Sequence, residues 1–243
     1  MDHATIGQRL RLAPHVRACR SDGQIVLLDL RRNRYLGIGP RQADALVGAI
    51  DDWPSHPEST GTQAICAHAD NLTRHLLSLG LLVPSDSLAA TRPSIPESTS
   101  TLSAEGRTTT SAATATHLAR LLRCAAVTAL WMRCRSLNSI ANAVAARRDQ
   151  ALTGGTDRTS PDAMRDAIAT YDRLRPLVLT KHDRCVHDSL TLLGFLASEG
   201  LFPHWVIGVK TGPFGAHSWV QSGATVLNDL HENVRRYRPI LVV

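Results

Sequence analysis

D-R-C-V-H-D-S-L-T-L-L-G-F-L-A-S-E-G (Asp183–Gly200), H-W-V-I-G-V-K (His204–Lys210) and A-H-S-W-V-Q-S-G-A-T-V-L-N-D (Ala216–Asp229) follow one another and change periodicity from 3.6 to 2. Behind Cys185, Val186, Leu190, Leu193 and Ala197 recur on one helical face, and Gly200 stops the run. Asp183 reads as the N-cap, which places Cys185 in the first turn. A thiol there sees the positive end of the helix dipole, which favours the nucleophilic thiolate. From Ala216 the pattern alternates. His217, Trp219 and Gln221 share one strand face, with Ala216, Ser218 and Val220 on the other. Ser222-Gly223 is a turn signal, and A-T-V-L-N-D reads as the returning strand. His217 and Asp229 are an even number of positions apart, so an odd-length loop sets them on one face. They stand directly opposite if Gly223 is the loop centre, and diagonally if a type I turn ends in a bulge. The pattern is that of a nucleophile (Cys185), a base (His217) and an orienting carboxylate (Asp229).

A lone helix cysteine or strand histidine reads more readily as core; the ordered set carries the assignment. That order resembles the transglutaminase-like branch of papain-type cysteine enzymes. More narrowly, C-V-H-D-S-L, W-V-I-G-V, P-F-G-A-H-S-W-V-Q and V-L-N-D resemble, in sequence order, the leader peptidases (B proteins) of lasso-peptide biosynthesis over roughly Leu118 to Val243. The resemblance implies hydrolysis of a leader–core peptide bond through a thioester. It also implies two partners: a precursor peptide bound by its leader segment, and a separate asparagine-synthetase-like, ATP-using lasso cyclase that receives the core. No phosphate-loop motif occurs in this chain, so no ATP or other cofactor is assigned to it. The Cys185 N–H is the expected oxyanion donor, with Gln221 and Trp219 as candidate oxyanion or substrate-lining residues.

Composition narrows the class. The 243 residues, 43% hydrophobic, are enough for one or two folded domains. A net charge of +6 admits nucleic acid, a membrane surface or an acidic peptide as partner, but the arginines are scattered rather than run together. Five irregularly spaced cysteines without a C-x-x-C pair argue against a disulfide framework or a zinc site and fit a reduced, cytoplasmic setting. His182, Asp183, His187 and Asp188 lack a ligand spacing, so no metal is expected. Met1-Asp2-His3 opens no apolar run, so no signal peptide is expected.

The fold class expected is α+β, with a winged-helix-like domain at residues 1–83, a flexible Ser/Thr/Pro-rich linker at 84–116 and a transglutaminase- or papain-like domain at 117–243. In the first domain, strands are predicted at His15–Cys19, Gln24–Leu30 and Arg34–Ile38. A helix follows Gly39-Pro40 with Ala43, Leu46, Val47 and Ile50 buried. A second, around Ile65, carries Leu72, Leu76 and Leu79 to Gly80, and Leu81–Val83 closes the domain as a strand. D-L-R-R-N-R-Y-L-G-I-G-P and L-L-S-L-G-L-L-V resemble the PqqD-like leader-recognition domain. That family pairs a leader with the edge of the third strand and lays apolar side chains in a groove beside the last helix. Tyr35, Leu36, Ile38, Leu72, Leu76 and Leu79 are the groove candidates on that resemblance; each reads equally well as core. A DNA-binding role is weak, since Asn71 to Leu79 offers only Asn71, Arg74 and His75 as readers.

Between the domains' signatures, His117–Ser136 is strongly helical. Arg120, Arg123 and Arg133 interrupt its apolar run, so it is not a membrane span, and its Cys124 and Cys134 read as buried. Leu137–Arg148 and Ser160–Arg173 continue as helices, and Pro176 is expected to bend the chain before Cys185. A thioester can pass to an amine as well as to water, so a transglutaminase-like acyltransferase is the alternative within this chemistry. A non-catalytic leader-binding scaffold is the alternative outside it.

Overall fold

The computed structural model describes residues 9–54, 66–85, 95–102, 114–155, 160–178 and 185–243, with side chains from Asp70 onward in the second segment. Asp183 (the expected N-cap), His182, Ile65, and 86–94 and 103–113 of the expected linker lie outside the described residues. The chain is mixed α+β and divides into two compact units. One gathers Met1–Arg92 with Val209–Gly215; the other holds Pro93–Gly208 and Ala216–Val243. Among the described residues, no helix is long and apolar enough to cross a membrane.

The N-terminal unit contains two three-stranded sheets. β2 (Val16–Ser21), β3 (Gln24–Asp29) and β4 (Arg34–Ile38) form an antiparallel meander with β4 at an edge. Ser21 pairs with Gln24 across a two-residue turn in which Asp22 and Gly23 both have positive φ, as a tight hairpin of this twist requires. The next turn is held by Asp29, whose Oδ1 accepts the Arg31 and Arg32 N–H groups. The second sheet has β1 (Leu10–Leu12) at its centre, parallel to β5 (Ile50–Asp51) and antiparallel to β6 (Leu82–Pro84). α1 (Pro40–Ala45) and α2 (Cys66–Ser78) complete the unit. Leu12, Val16, Ile25, Leu27, Ile38, Leu46, Ile50 and Leu76 share one core.

Two expectations need correction here. β1 was missed, because three residues are too few to show alternation. Ile50 is not on the first helix. That helix stops at Ala45, the chain turns through Gly48 at φ 80°, and Ile50 enters the core from a strand.

The C-terminal unit is a sheet in the order β11-β8-β9-β10-β7 with helices packed on it. Its strands are β7 (Ser100–Thr101), β8 (His204–Thr211), β9 (Phe214–Ser222), β10 (Thr225–Val226) and β11 (Arg238–Val242). α6 (Cys185–Ser198) is its central helix. Ser189, Leu190, Thr191, Leu192, Leu193, Phe195 and Leu196 are all buried, as expected of a helix covered on every side. α3 (Ala115–Cys134) and α5 (Pro161–Val178) pack against it. α4 (Leu137–Thr153) and the short α7 (His231–Val234) complete the set described. Gly208 in β8 makes room for the sheet's main aromatic, since a Cβ there would lie 2.7 Å from the Trp219 ring.

Three expectations change in this unit. Pro176 lies inside α5, which runs on to Val178. A proline two residues from the end disturbs only the last turn. Cys124 is buried, but Cys134, the last residue of α3, is exposed. Residues 95–102, within the expected linker, belong to the sheet. β7 pairs parallel to β10, Ile95 packs against Val206, Trp219, Val226 and Val234, and Ser98 is buried. Composition averaged over the whole Ser/Thr/Pro stretch hides one apolar anchor and a short β-prone S-T-S-T run.

Candidate active site

Cys185 opens α6, so its thiol stands where the helix's first N–H groups have no intrahelical acceptor. His217 lies in β9, the middle strand of the sheet, and packs against two aromatic rings. Trp219 stacks on it at 6.2 Å between centroids, and Tyr237 lies at 5.3 Å. His217 Nε2 is 2.5 Å from Asp229 Oδ2. That leaves Nδ1 as the ring nitrogen for the thiol, and the Cys185 and His217 side chains are hydrogen-bonded. Asp229 is itself held by its other oxygen, which accepts Leu230 N–H at 2.6 Å and Asn233 Nδ2 at 3.2 Å.

The electrostatics follow from these bonds. Burial opposes ionisation of Cys185. The hydrogen bond and charge of His217, with backbone bonds from Ser218 and Val186, outweigh it and hold the thiol below its ordinary range. The bond to Asp229, then that to Cys185, pushes His217 up to about 9 against burial. Burial also opposes ionisation of Asp229, but His217, the Leu230 N–H and Asn233 bring it below the ordinary carboxylate range. The three shifts favour one state: thiolate, imidazolium and carboxylate in a row. Such a row could act as a nucleophile beside a proton donor, oriented by a carboxylate. Among the described residues, no cluster of three His, Cys, Asp or Glu side chains is placed to hold a metal ion.

Asp229 reaches His217 by a route the sequence did not predict. The β9–β10 loop has two residues, with Thr225 opposite Ser222 and Val226 opposite Gln221. Continued in that register, the ladder would turn Asp229 to the face opposite His217. Instead β10 ends at Val226, and Asn228 Oδ1 takes the Val220 N–H at 2.8 Å, where a ladder carbonyl would have bonded. The chain bends there, and the bend delivers Asp229 to the imidazole. Asn228 is the residue beside the site that sequence reasoning passed over, and Asp188 is one it read as structural or substrate-lining. Asp188 is buried; its Oδ1 accepts from Tyr171 OH at 2.9 Å and pairs with Arg175 Nε at 2.9 Å, and its Oδ2 accepts from Asn228 Nδ2 at 3.2 Å. An asparagine inside a strand pattern, where β-propensity is poor, was the available signal.

Gln221 and Trp219 do not have the roles offered for them. Gln221 is 1% exposed. Its amide donates to Pro96 O at 2.9 Å and Gly223 O at 2.8 Å, and its Oε1 accepts from Trp219 Nε1 at 2.9 Å. Both N–H groups are committed, so it has none for an oxyanion. Trp219, 2% exposed, supports the His217 ring from within the core rather than lining a substrate channel. In the N-terminal unit, Ile38 and Leu76 are 2% and 0% exposed and belong to the core, which removes them as groove residues. Leu36 and Leu72 are half-buried at the core's margin, Tyr35 is half-buried on β4, and Leu79 is exposed.

A known family and a known protein are similar to parts of this chain. The model of the transglutaminase-like superfamily matches residues 124–242 and none of residues 1–123. The microcin J25-processing protein McjB of Escherichia coli is 39% identical over 66 residues, which is 27% of this chain and 31% of that protein. No solved structure matches. The segment of this chain that is similar to the transglutaminase-like superfamily contains the helix-borne cysteine, the central-strand histidine and the carboxylate bonded to it.

Proposed function

We propose that this chain is a leader peptidase of lasso-peptide biosynthesis that cleaves the leader–core bond of a precursor peptide through Cys185, His217 and Asp229. The observation that carries the reading is the hydrogen-bonded series from Cys185 through His217 to Asp229, in a chain similar in part to a microcin-processing protein. The Cys185 thiolate attacks the scissile carbonyl. The tetrahedral intermediate collapses as His217 protonates the departing core amine, leaving a leader thioester. Water, deprotonated by His217, attacks the thioester and releases the leader acid and the thiol. The Cys185 N–H at the start of α6 stabilises the oxyanion. The freed core passes to an asparagine-synthetase-like, ATP-dependent cyclase, and the work takes place in the cytoplasm.

The N-terminal unit is proposed as a PqqD-like recognition module. β4 is an edge strand, so its outer N–H and C=O groups suit pairing with an extended leader, with Tyr35, Leu36, Leu72 and Leu79 beside it.

The experiment is a digest of small precursor peptides encoded beside this chain, read by mass spectrometry. The full-length protein releases an intact leader and a free core. Cys185→Ala lowers that rate by roughly 10⁶-fold while leader binding persists. Leader release by the Cys185→Ala protein ends the cysteine-peptidase reading. Leader trapped on an added amine, with no free acid, replaces hydrolysis by acyl transfer.

A further inference from the structure

Three segments of the C-terminal unit meet at one side chain. Asn228 Oδ1 accepts the Val220 N–H of β9 at 2.8 Å, three residues beyond His217. Asn228 Nδ2 donates to α6, to Asp188 Oδ2 at 3.2 Å and Ser189 Oγ at 3.3 Å, three and four residues beyond Cys185. Asp229 is its neighbour in the chain. One amide is therefore bonded to the helix of the nucleophile and to the strand of the base, and is covalently joined to the orienting carboxylate.

We propose that Asn228 is a positioning residue that sets the spacing of Cys185, His217 and Asp229 through its bond to the Asp188 carboxylate. The inference rests on the peptidase reading of those three residues. Its physical basis is directional. Apolar packing of α6 on the sheet is strong but indifferent to small slides, whereas a thiol–imidazole pair works only within a fraction of an ångström. An amide that accepts from one element and donates to another fixes distance and rotation together. Asp188 is built to receive it. Tyr171 and Arg175 of α5 occupy its Oδ1, leaving Oδ2 for Asn228, and burial makes an unmade bond there costly. Asp172 on α5 also faces Asp188, and Asp229 adjoins Asn228 in the chain. Aspartate at 228 would keep the Val220 acceptor but face Asp188 with a second carboxylate. Exchanging the two residue types reverses donor and acceptor and restores the bond.

Alkylation of the full-length protein by iodoacetamide, followed residue by residue with mass spectrometry across pH, tests this without a known precursor. Exposed Cys134 serves as the internal comparison and buried Cys124 as the reporter of folding. In the unmodified chain Cys185 reacts with a pH midpoint well below that of Cys134. Asn228→Ala and Asn228→Asp raise that midpoint toward Cys134, and the Cys185 rate near neutral pH falls roughly tenfold. Asn228→Asp combined with Asp188→Asn returns the midpoint toward the unmodified value, which general destabilisation would not do. If Asn228→Ala also exposes Cys124, Asn228→Asp and the combined variant decide the question. A Cys185 midpoint unmoved by either single substitution, or not restored by the combination, overturns the positioning role and leaves the peptidase reading standing. A midpoint in the unmodified chain equal to that of Cys134 removes the primed nucleophile itself, and both readings fall.

Discussion

The residues proposed to act in the C-terminal unit are polar and held half-buried, whereas those proposed to act in the N-terminal unit are apolar and grade into its core. Cys185, His217 and Asp229 each keep a hydrogen-bond partner, and Asn228, Asp188, Tyr171 and Arg175 extend the network behind them. Around β4 and α2 the series runs continuously, from Leu76 at 0% exposed, through the half-buried Leu36 and Leu72, to Leu79 at 38%. A buried polar group must be satisfied, so a polar site leaves a network that can be traced bond by bond. An apolar groove obeys the same rule as the core, removal from water, and only degree of exposure separates them.

The sharpest test of that contrast is Asp229→Asn. It keeps shape but replaces the acceptor that holds His217 Nε2, and loss of an orienting carboxylate costs about 10⁴-fold in turnover in a comparable triad. Precursor cleavage measured at saturating peptide should fall by about that factor with little change in the melting temperature. A loss of tenfold or less would place the orientation of His217 elsewhere, with the stacked Trp219 and nearby Tyr237.

Leu76→Ala should act on stability instead. Truncating a fully buried leucine costs about 2–5 kcal/mol, and denaturant unfolding should show the N-terminal unit melting earlier while Cys185 keeps its alkylation profile. An unchanged unfolding curve with lost leader binding would return Leu76 to the groove.

The pH dependence of stability probes the site with a smaller effect. The folded state raises His217 from 6.5 to about 9, so its contribution is complete below pH 6.5 and is lost as pH rises through about 9. Cys185 is depressed from 9.0, so its contribution is complete above that value and is lost as pH falls through the folded one. Below pH 9 the two slopes oppose each other in the unmodified chain. In Cys185→Ala the thiol's slope is gone while the Asp229 bond still raises His217. Its melting temperature should therefore fall more steeply than that of the unmodified chain as pH rises above 6.5. Parallel profiles would mean that the thiol does not ionise ahead of the imidazole.

The smallest stability change belongs to Leu79→Ala, within about 0.5 kcal/mol because the side chain is exposed. Its value lies in binding. Fluorescence anisotropy of a labelled leader should show weaker affinity at unchanged stability, and unchanged affinity would move the groove away from the end of α2.

The sequence by itself determined the periodic elements and the places of Cys185 and His217 within them. α6 follows from apolar spacing behind Cys185 closed by Gly200, β3 from Q-I-V-L-L-D, and β9 from the alternation around His217, because each signal lies within one element. Asp229 was legible as a residue, but its approach was not. A ladder argument assumes that the strand continues, and the Asn228 side chain ends it by replacing a main-chain acceptor. Only the tertiary structure decided that Gln221 spends its amide on Pro96 and Gly223, that Asp188 faces Tyr171, Arg175 and Asn228, and that residues 95–102 close one edge of the sheet. The physical reason is common to all three. Periodicity records which side of an element avoids water. The partner of a buried polar group is chosen by which distant segment arrives beside it, and no local pattern in the chain carries that choice.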